Sequence, residues 1–164
     1  MLVKQHFDPA EYRDAMARYA GHVQIITTTV DKQRRGVTVT AACSVSDKPP
    51  SLLVCLNNTN PNNEIFWRSD VFALNSLGSH QQDLADAFSG RDRLLDEARF
   101  SRGDWTTLET GAPILRDAIV SFDCRLTDMK PMDTHTVLFG EVVAIHVGPR
   151  SPSLIYLDRG YKAL

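Results

Sequence analysis

At 164 residues, 43% of them hydrophobic, the chain can bury one good core and is short for two, so a single domain over residues 1–164 is expected. Charged residues make up 23% of the sequence and the formal net charge is −2, without the basic excess that phosphate backbones demand, which excludes nucleic acid as an expected partner. The opening residues lack a positive-then-apolar signal pattern, and the longest apolar run, residues 52–56, is far below the roughly 18 needed to span a bilayer, so a soluble cytoplasmic protein is expected.

Asp8, Pro9 and Glu11 supply a capping carboxylate, a proline at the first helical position and an acid at N3, ahead of Tyr12, Ala15, Met16 and Tyr19 at helical spacing. A first amphipathic helix is predicted, ended by Gly21. Residues 23–30, dense in Val, Ile and Thr, predict a strand that turns through 31–35 into a second strand from Gly36, a β-hairpin. Pro49 and Pro50 break the chain before an apolar strand over 51–56, and a polar stretch over 57–63 leads to a short helix near 65–68. A strand over 71–77 and a helix over 81–88 follow. The span 90–113 is charged and irregular, with Phe100 and Trp105 placed to pin a long excursion to the body; such loops usually serve a site or an interface. Val120, Phe122, Cys124 and Leu126 then alternate with Ser121, Asp123, Arg125 and Thr127, the period-2 pattern of a strand with one buried face. Residues 134–147 predict a long strand with apolar residues on both faces, and 154–157 a last one. About six or seven strands joined mostly by hairpins make a mainly β fold, an antiparallel barrel decorated by a few helices.

Little in this pattern is overtly chemical. GVTVTAACSVS at 36–46 runs small residues and the hydroxyls of Thr38, Thr40, Ser44 and Ser46 into a bend. It reads either as a Thr-rich strand with solvated hydroxyls or as a loop where a ligand approaches the backbone and hydroxyls hold a phosphate. Neither a dinucleotide-binding glycine motif nor a nucleotide-phosphate loop is present. His6, His22, His80, His135 and His146 show no metal-site spacing, and no metal is expected. His135 opens a strand, where it serves either as a strand-end residue or as a polar group facing a ligand. Cys43, Cys55 and Cys124 are odd in number, widely spaced and set in apolar stretches, which suits reduced packing residues better than a disulfide frame. No nucleophile elbow is present and no cysteine has a partner suggesting nucleophilic work.

Taken in order, a longer series of segments carries a resemblance: Phe7, RDAM at 13–16, VQIITT at 23–28, GVT at 36–38, CSVSD at 43–47, PPSLLVCLN at 49–57, FALNSL at 72–77, Gln81, FSG at 88–90, Thr134 with His135, GEV at 140–142 and Tyr161. This order and spacing, over nearly the whole chain, resembles the flavin reductase-like family, the small reductase components of two-component flavin monooxygenases. Within it, VSFDCRL at 120–126 and DRGYKAL at 158–164 are most similar to the reductases of pyrimidine utilisation, with those serving 4-hydroxyphenylacetate hydroxylation nearly as close.

The resemblance implies an FMN-binding split β-barrel, a homodimer with flavin near the subunit interface, and transfer of a hydride from NADH to FMN, with FAD and NADPH as alternatives, to supply free reduced flavin to a partner monooxygenase. By position it implies that Thr38, Val39, Thr40, Ala41, Ser44, Val45 and Ser46 line the flavin and meet its phosphate. Cys55, Leu56, Asn57, Asn75 and Leu77 would form the adjacent wall, and Gln81, Phe88, Ser89 and Gly90 would close the phosphate end. His135 would position the nicotinamide and Tyr161 would sit near the same site. Asp133 stands where the family usually has glycine. Because reduced flavin must leave, moderate binding through hydroxyls and backbone is expected rather than an arginine clamp. The alternatives are an electron-transfer flavoprotein with tightly bound FMN, and a split-barrel oxidase of a phosphorylated pyridoxal precursor, which would need a basic cluster.

Overall fold

The computed structural model describes residues 8–91 and 93–164. His6 and Phe7 lie outside the described residues. Asp8 caps α1 (Pro9–Ala17) by accepting from the Ala10 amide, while Glu11 reaches back to the Asp8 amide at 3.3 Å. The helix buries no residue: Tyr12, Met16 and Tyr19 are 63%, 44% and 73% exposed. Its apolar stripe faces a surface crevice instead of a core.

Two short-range rules place the first strands. After β1 (Gly21–His22), β2 (Gln24–Val30) and β3 (Gln33–Val39) form a hairpin through Asp31 and Lys32, whose φ angles of 50° and 68° match the mirror-image two-residue turn that follows strand twist. The turn is tighter than the five-residue connection predicted, so β3 starts before Gly36. β4 (Ala42–Asp47) and β5 (Pro50–Asn57) form the next hairpin, with a cis peptide before Pro49. A 3₁₀ turn over Pro61–Asn63 leads into α2 (Glu64–Arg68), β6 (Val71–Ser76) and, after a second 3₁₀ turn, α3 (Gln82–Ser89). Gly90, at φ 83°, ends α3 in the left-handed conformation glycine tolerates. The irregular stretch holds α4 (Asp96–Phe100), β7 (Trp105–Thr106) and β8 (Ile114–Leu115). β9 (Val120–Pro131), β10 (His135–Val147), β11 (Leu154–Leu157) and β12 (Gly160–Ala163) complete the chain.

Seven strands form one sheet in the order β3-β2-β6-β9-β10-β5-β4, with every pair antiparallel. Its two edge strands, β3 and β4, are consecutive in the chain and separated only by Thr40 and Ala41. Such a link spans about 11 Å at most, so the sheet must roll until its edges meet at this corner. Past the corner no β3–β4 ladder forms among the described residues, leaving a barrel split along one seam. A second sheet, β1-β11-β12, lies across one end, where Val23 exchanges bonds with Leu77 and Leu154.

Ile26, Val54, Phe72, Leu74, Cys124 and Leu138 fill the barrel. Ile25, on the opposite face of β2, joins Val23, Leu77, Leu84, Phe88 and Phe100 in a second core under α3. β9 departs from the one-sided pattern predicted: Ser121 and Asp123 are fully buried as well as Cys124. The 105–115 excursion covers them. Asp123 accepts from the Thr110 amide at 2.9 Å and from the Thr110 hydroxyl, which compensates for burying its charge.

Burial pushes the Cys124 thiol from 9.0 up to about 12, with the Asp123 charge adding to the shift. The native thiol therefore keeps its proton where the unfolded chain has lost it, and stability falls as pH rises past 9. At pH 10 the loss from this group is expected to be about 1.4 kcal/mol. Urea midpoints for wild type and Cys124→Ala at neutral pH and pH 10 check it: the variant's smaller drop should differ by that amount, and identical drops would contradict it.

Candidate flavin-binding site at the barrel seam

The Thr40–Ala41 corner is flanked by two adjoining crevices that share Thr40 and Tyr156 as a common wall. The first, of about 190 Å³, is lined by Val23, Thr38, Val39, Thr40, Ser89, Arg91, Tyr156 and Tyr161. The second, of about 350 Å³, is mostly apolar and is roofed by Tyr12, Met16 and Ala17 of α1. Three elements converge on the first. β3 and the corner that follows it bring Thr38 and Thr40; the β11–β12 turn at Asp158 and Arg159 sets Tyr156 directly across from Tyr161; and the Gly90 cap turns the chain so that Arg91 follows α3 into the crevice.

The Thr38 hydroxyl donates to the Ala85 carbonyl at 2.7 Å, and the Ser89 hydroxyl to the Asp86 carbonyl at 2.7 Å. Both hydroxyls are thus spent on α3. In the first crevice the cationic group is Arg91, whose guanidinium lies 5.7 Å from the Tyr161 ring centre and 3.0 Å from Asp86, while Arg13 and Arg159 line the rim of the second, Arg159 paired with Asp14. Tyr161 donates to the same carboxylate at 3.2 Å. Burial, reinforced by the Asp86 charge, pushes its phenol up to about 12, so it stays a neutral donor at physiological pH. A guanidinium, a threonine hydroxyl and two tyrosines beside an apolar cleft fit a group with one anionic end and one flat apolar end.

The structure thus brings together Thr38, Val39, Thr40, Ala41, Ser89, Gly90 and Tyr161. Ser44 and Ser46 line a different, apolar cavity of about 310 Å³ with Leu52, Leu74, Phe122, Val142 and Ile145, and Val45 points to solvent. Leu56, Leu77 and Phe88 are core residues. Asn75 is buried and fully bonded, donating to Ile25 O and accepting from the Leu115 amide at 2.9 Å; Gln81 accepts from the Gly78 amide at 2.8 Å. These frame the site rather than face it. Cys55 touches the corner through its amide, which donates to Ala41 O at 2.8 Å; on the same sheet face, two residues further along β5, Asn57 pairs with His135. His135 is exposed, lines neither crevice, and has Nδ1 2.9 Å from the Thr134 hydroxyl. Asp133 does not adopt a positive φ, so this turn does not require the glycine usual in the family.

Sequence reasoning missed Arg91, Tyr156 and Asp86. Arg91 directly follows the FSG segment, and a two-residue turn at 158–159 already implies that Tyr156 faces Tyr161.

An antiparallel barrel open along one seam is the architecture of split-barrel flavin reductases. The model of the flavin reductase like domain matches residues 16–164, and the chain belongs to that family. It is 43% identical over 154 residues to the FMN reductase (NADH) RutF of Pantoea ananatis, covering 94% of this chain and 80% of the relative. Its counterpart in Klebsiella pneumoniae is 42% identical over 157 residues, covering 96% and 94%. Among solved structures, a candidate flavin reductase from Haemophilus somnus superposes with a TM-score of 0.92 at 39% identity, covering 96% of this chain and all of the other (100%). The flavin reductase PheA2 gives 0.86 at 27% identity, covering 96% and 99%.

Proposed function

We propose that the chain is an NADH-dependent FMN reductase whose single domain, residues 1–164, makes free reduced flavin for a partner monooxygenase. The observation that carries this reading is the pairing, at one corner, of the Arg91 crevice with the apolar cleft under α1. Arg91 and Thr40 would hold the phosphate end, while Tyr156 and Tyr161 wall the ring and exclude water. When bound, the flavin supplies the hydride acceptor and reduced nicotinamide the donor, so the protein needs to hold the two rings in register and need not move a proton. That accounts for a site without an acid–base pair.

His135 would position the nicotinamide from the open β5–β10 face. In the His135→Ala variant the Michaelis constant for NADH is expected to rise about tenfold, with flavin affinity unchanged. Steady-state kinetics with flavin titrations check this, and unchanged NADH parameters would remove His135 from the site. A homodimer also belongs to this reading, supported by Val45, Ile145 and Val147, apolar yet 51%, 57% and 76% exposed near one cavity. Among the described residues no helix is long and apolar enough to cross a membrane, and a cytoplasmic location fits the reading.

The test is oxidation of NADH and NADPH by purified protein with and without added FMN, FAD or riboflavin. Fast oxidation that requires added flavin, with FMN and NADH preferred, is expected. A protein that stays yellow through purification and ignores added flavin would instead be an electron-transfer module.

A further inference from the structure

We propose that Asp86 sets the affinity and phosphate preference of the crevice by partly cancelling the charge of Arg91. This rests on reading the crevice as the flavin phosphate site. Asp86 lies on α3, one turn before the Gly90 cap, and a single carboxylate oxygen accepts from Arg91 at 3.0 Å and from the Tyr161 hydroxyl at 3.2 Å. The three side chains form one unit, with the guanidinium over the tyrosine ring.

The carboxylate exerts two opposed effects. It orients Arg91, which favours anion binding, and it brings a negative charge close to any anion that Arg91 holds, which opposes it. The Arg91 side chain is 57% exposed and that of Asp86 32%, and an ion pair of that exposure adds at most a few-fold. A phosphate dianion roughly 6 Å from a carboxylate is disfavoured by about tenfold even at a dielectric near that of water. Repulsion therefore wins. Asp86 keeps a basic site weak enough to let its ligand go, which reconciles an arginine in the crevice with a diffusible product.

The effect scales with the charge beside Arg91: two for the monoester of FMN, one for the first phosphate of FAD, none for riboflavin. Asp86→Asn keeps the acceptor oxygen and removes the charge. Its affinities, read by quenching of flavin fluorescence at low ionic strength, are expected to rise about tenfold for FMN, about threefold for FAD and less than twofold for riboflavin. Asp86→Glu should keep the wild-type order, and added salt should shrink the Asp86→Asn difference. An equal change for all three flavins, or weaker FMN binding in Asp86→Asn, would overturn the proposal while leaving the crevice a flavin site. Failure of the wild-type protein to bind any of the three would overturn the reading of the crevice itself.

Discussion

Truncating Phe88 to alanine is expected to lower stability by about 4 kcal/mol, because a wholly buried ring is removed from a site that cannot collapse. Phe88 is 1% exposed and packs edge-on against Phe100 at 5.1 Å and at a tilt against Trp105 at 5.5 Å. Beneath it lies Gly36, where an added Cβ would come within 2.4 Å of the ring, so α3 has settled onto β3 as closely as the backbone allows. Urea unfolding reads the loss. Phe88→Leu should recover more than half of it, since most of the volume returns. A loss below about 1 kcal/mol in the alanine variant would mean that the aromatic cluster does not hold α3 down. The same substitution is expected to weaken flavin binding, because Phe88 anchors the end of α3 from which the Gly90 turn carries Arg91 into the crevice.

Arg91→Gln should reduce FMN affinity by about 30-fold, the middle of the range for charge-assisted hydrogen bonds to a phosphate. Riboflavin, which carries no phosphate, should bind the variant as it binds wild type. Fluorescence titration of the two flavins separates the outcomes: parallel losses would mean that Arg91 holds the fold or the ring rather than the anion. Its cation–π contact with Tyr161 spans 5.7 Å at an exposed edge, so little stability should be lost with it.

The parts of this molecule that were legible in its sequence are those governed by nearest neighbours along the chain. The capping box at Asp8, the Ile- and Thr-rich β2, and the inward file Phe122, Cys124 and Leu126 of β9 follow from local patterns. The other face of β9 was not legible, because Ser121 and Asp123 are buried by the 105–115 segment, marked in the sequence chiefly by Trp105 and a few turn residues. β7 and β8 are two residues long, below the length at which alternation can be read, and β12, Gly160–Ala163, carries little apolar signal of its own. The site divides in the same way. The run through Thr38, Thr40 and Ala41 was found because it is contiguous in the chain, whereas Arg91, Asp86 and Tyr156 meet it only through the α3 cap and a turn near the end of the chain. Asn75 and Gln81 belong to the motif series but face inward, since a motif records what a fold must keep without separating the frame from the surface it presents.

The barrel is closed by the Thr40–Ala41 tie, and the two crevices lie on either side of it. A circular permutant with new ends at this corner would retain all six ladders of the seven-stranded sheet and lose the covalent link that makes a ring of it. New ends at Asp31 and Lys32 would spare that link and open only a hairpin. Sheet assembly and ring closure are therefore separable in this chain, and ligand recognition goes with closure: an unrolled sheet could hold every strand in register and still have nowhere to put a flavin.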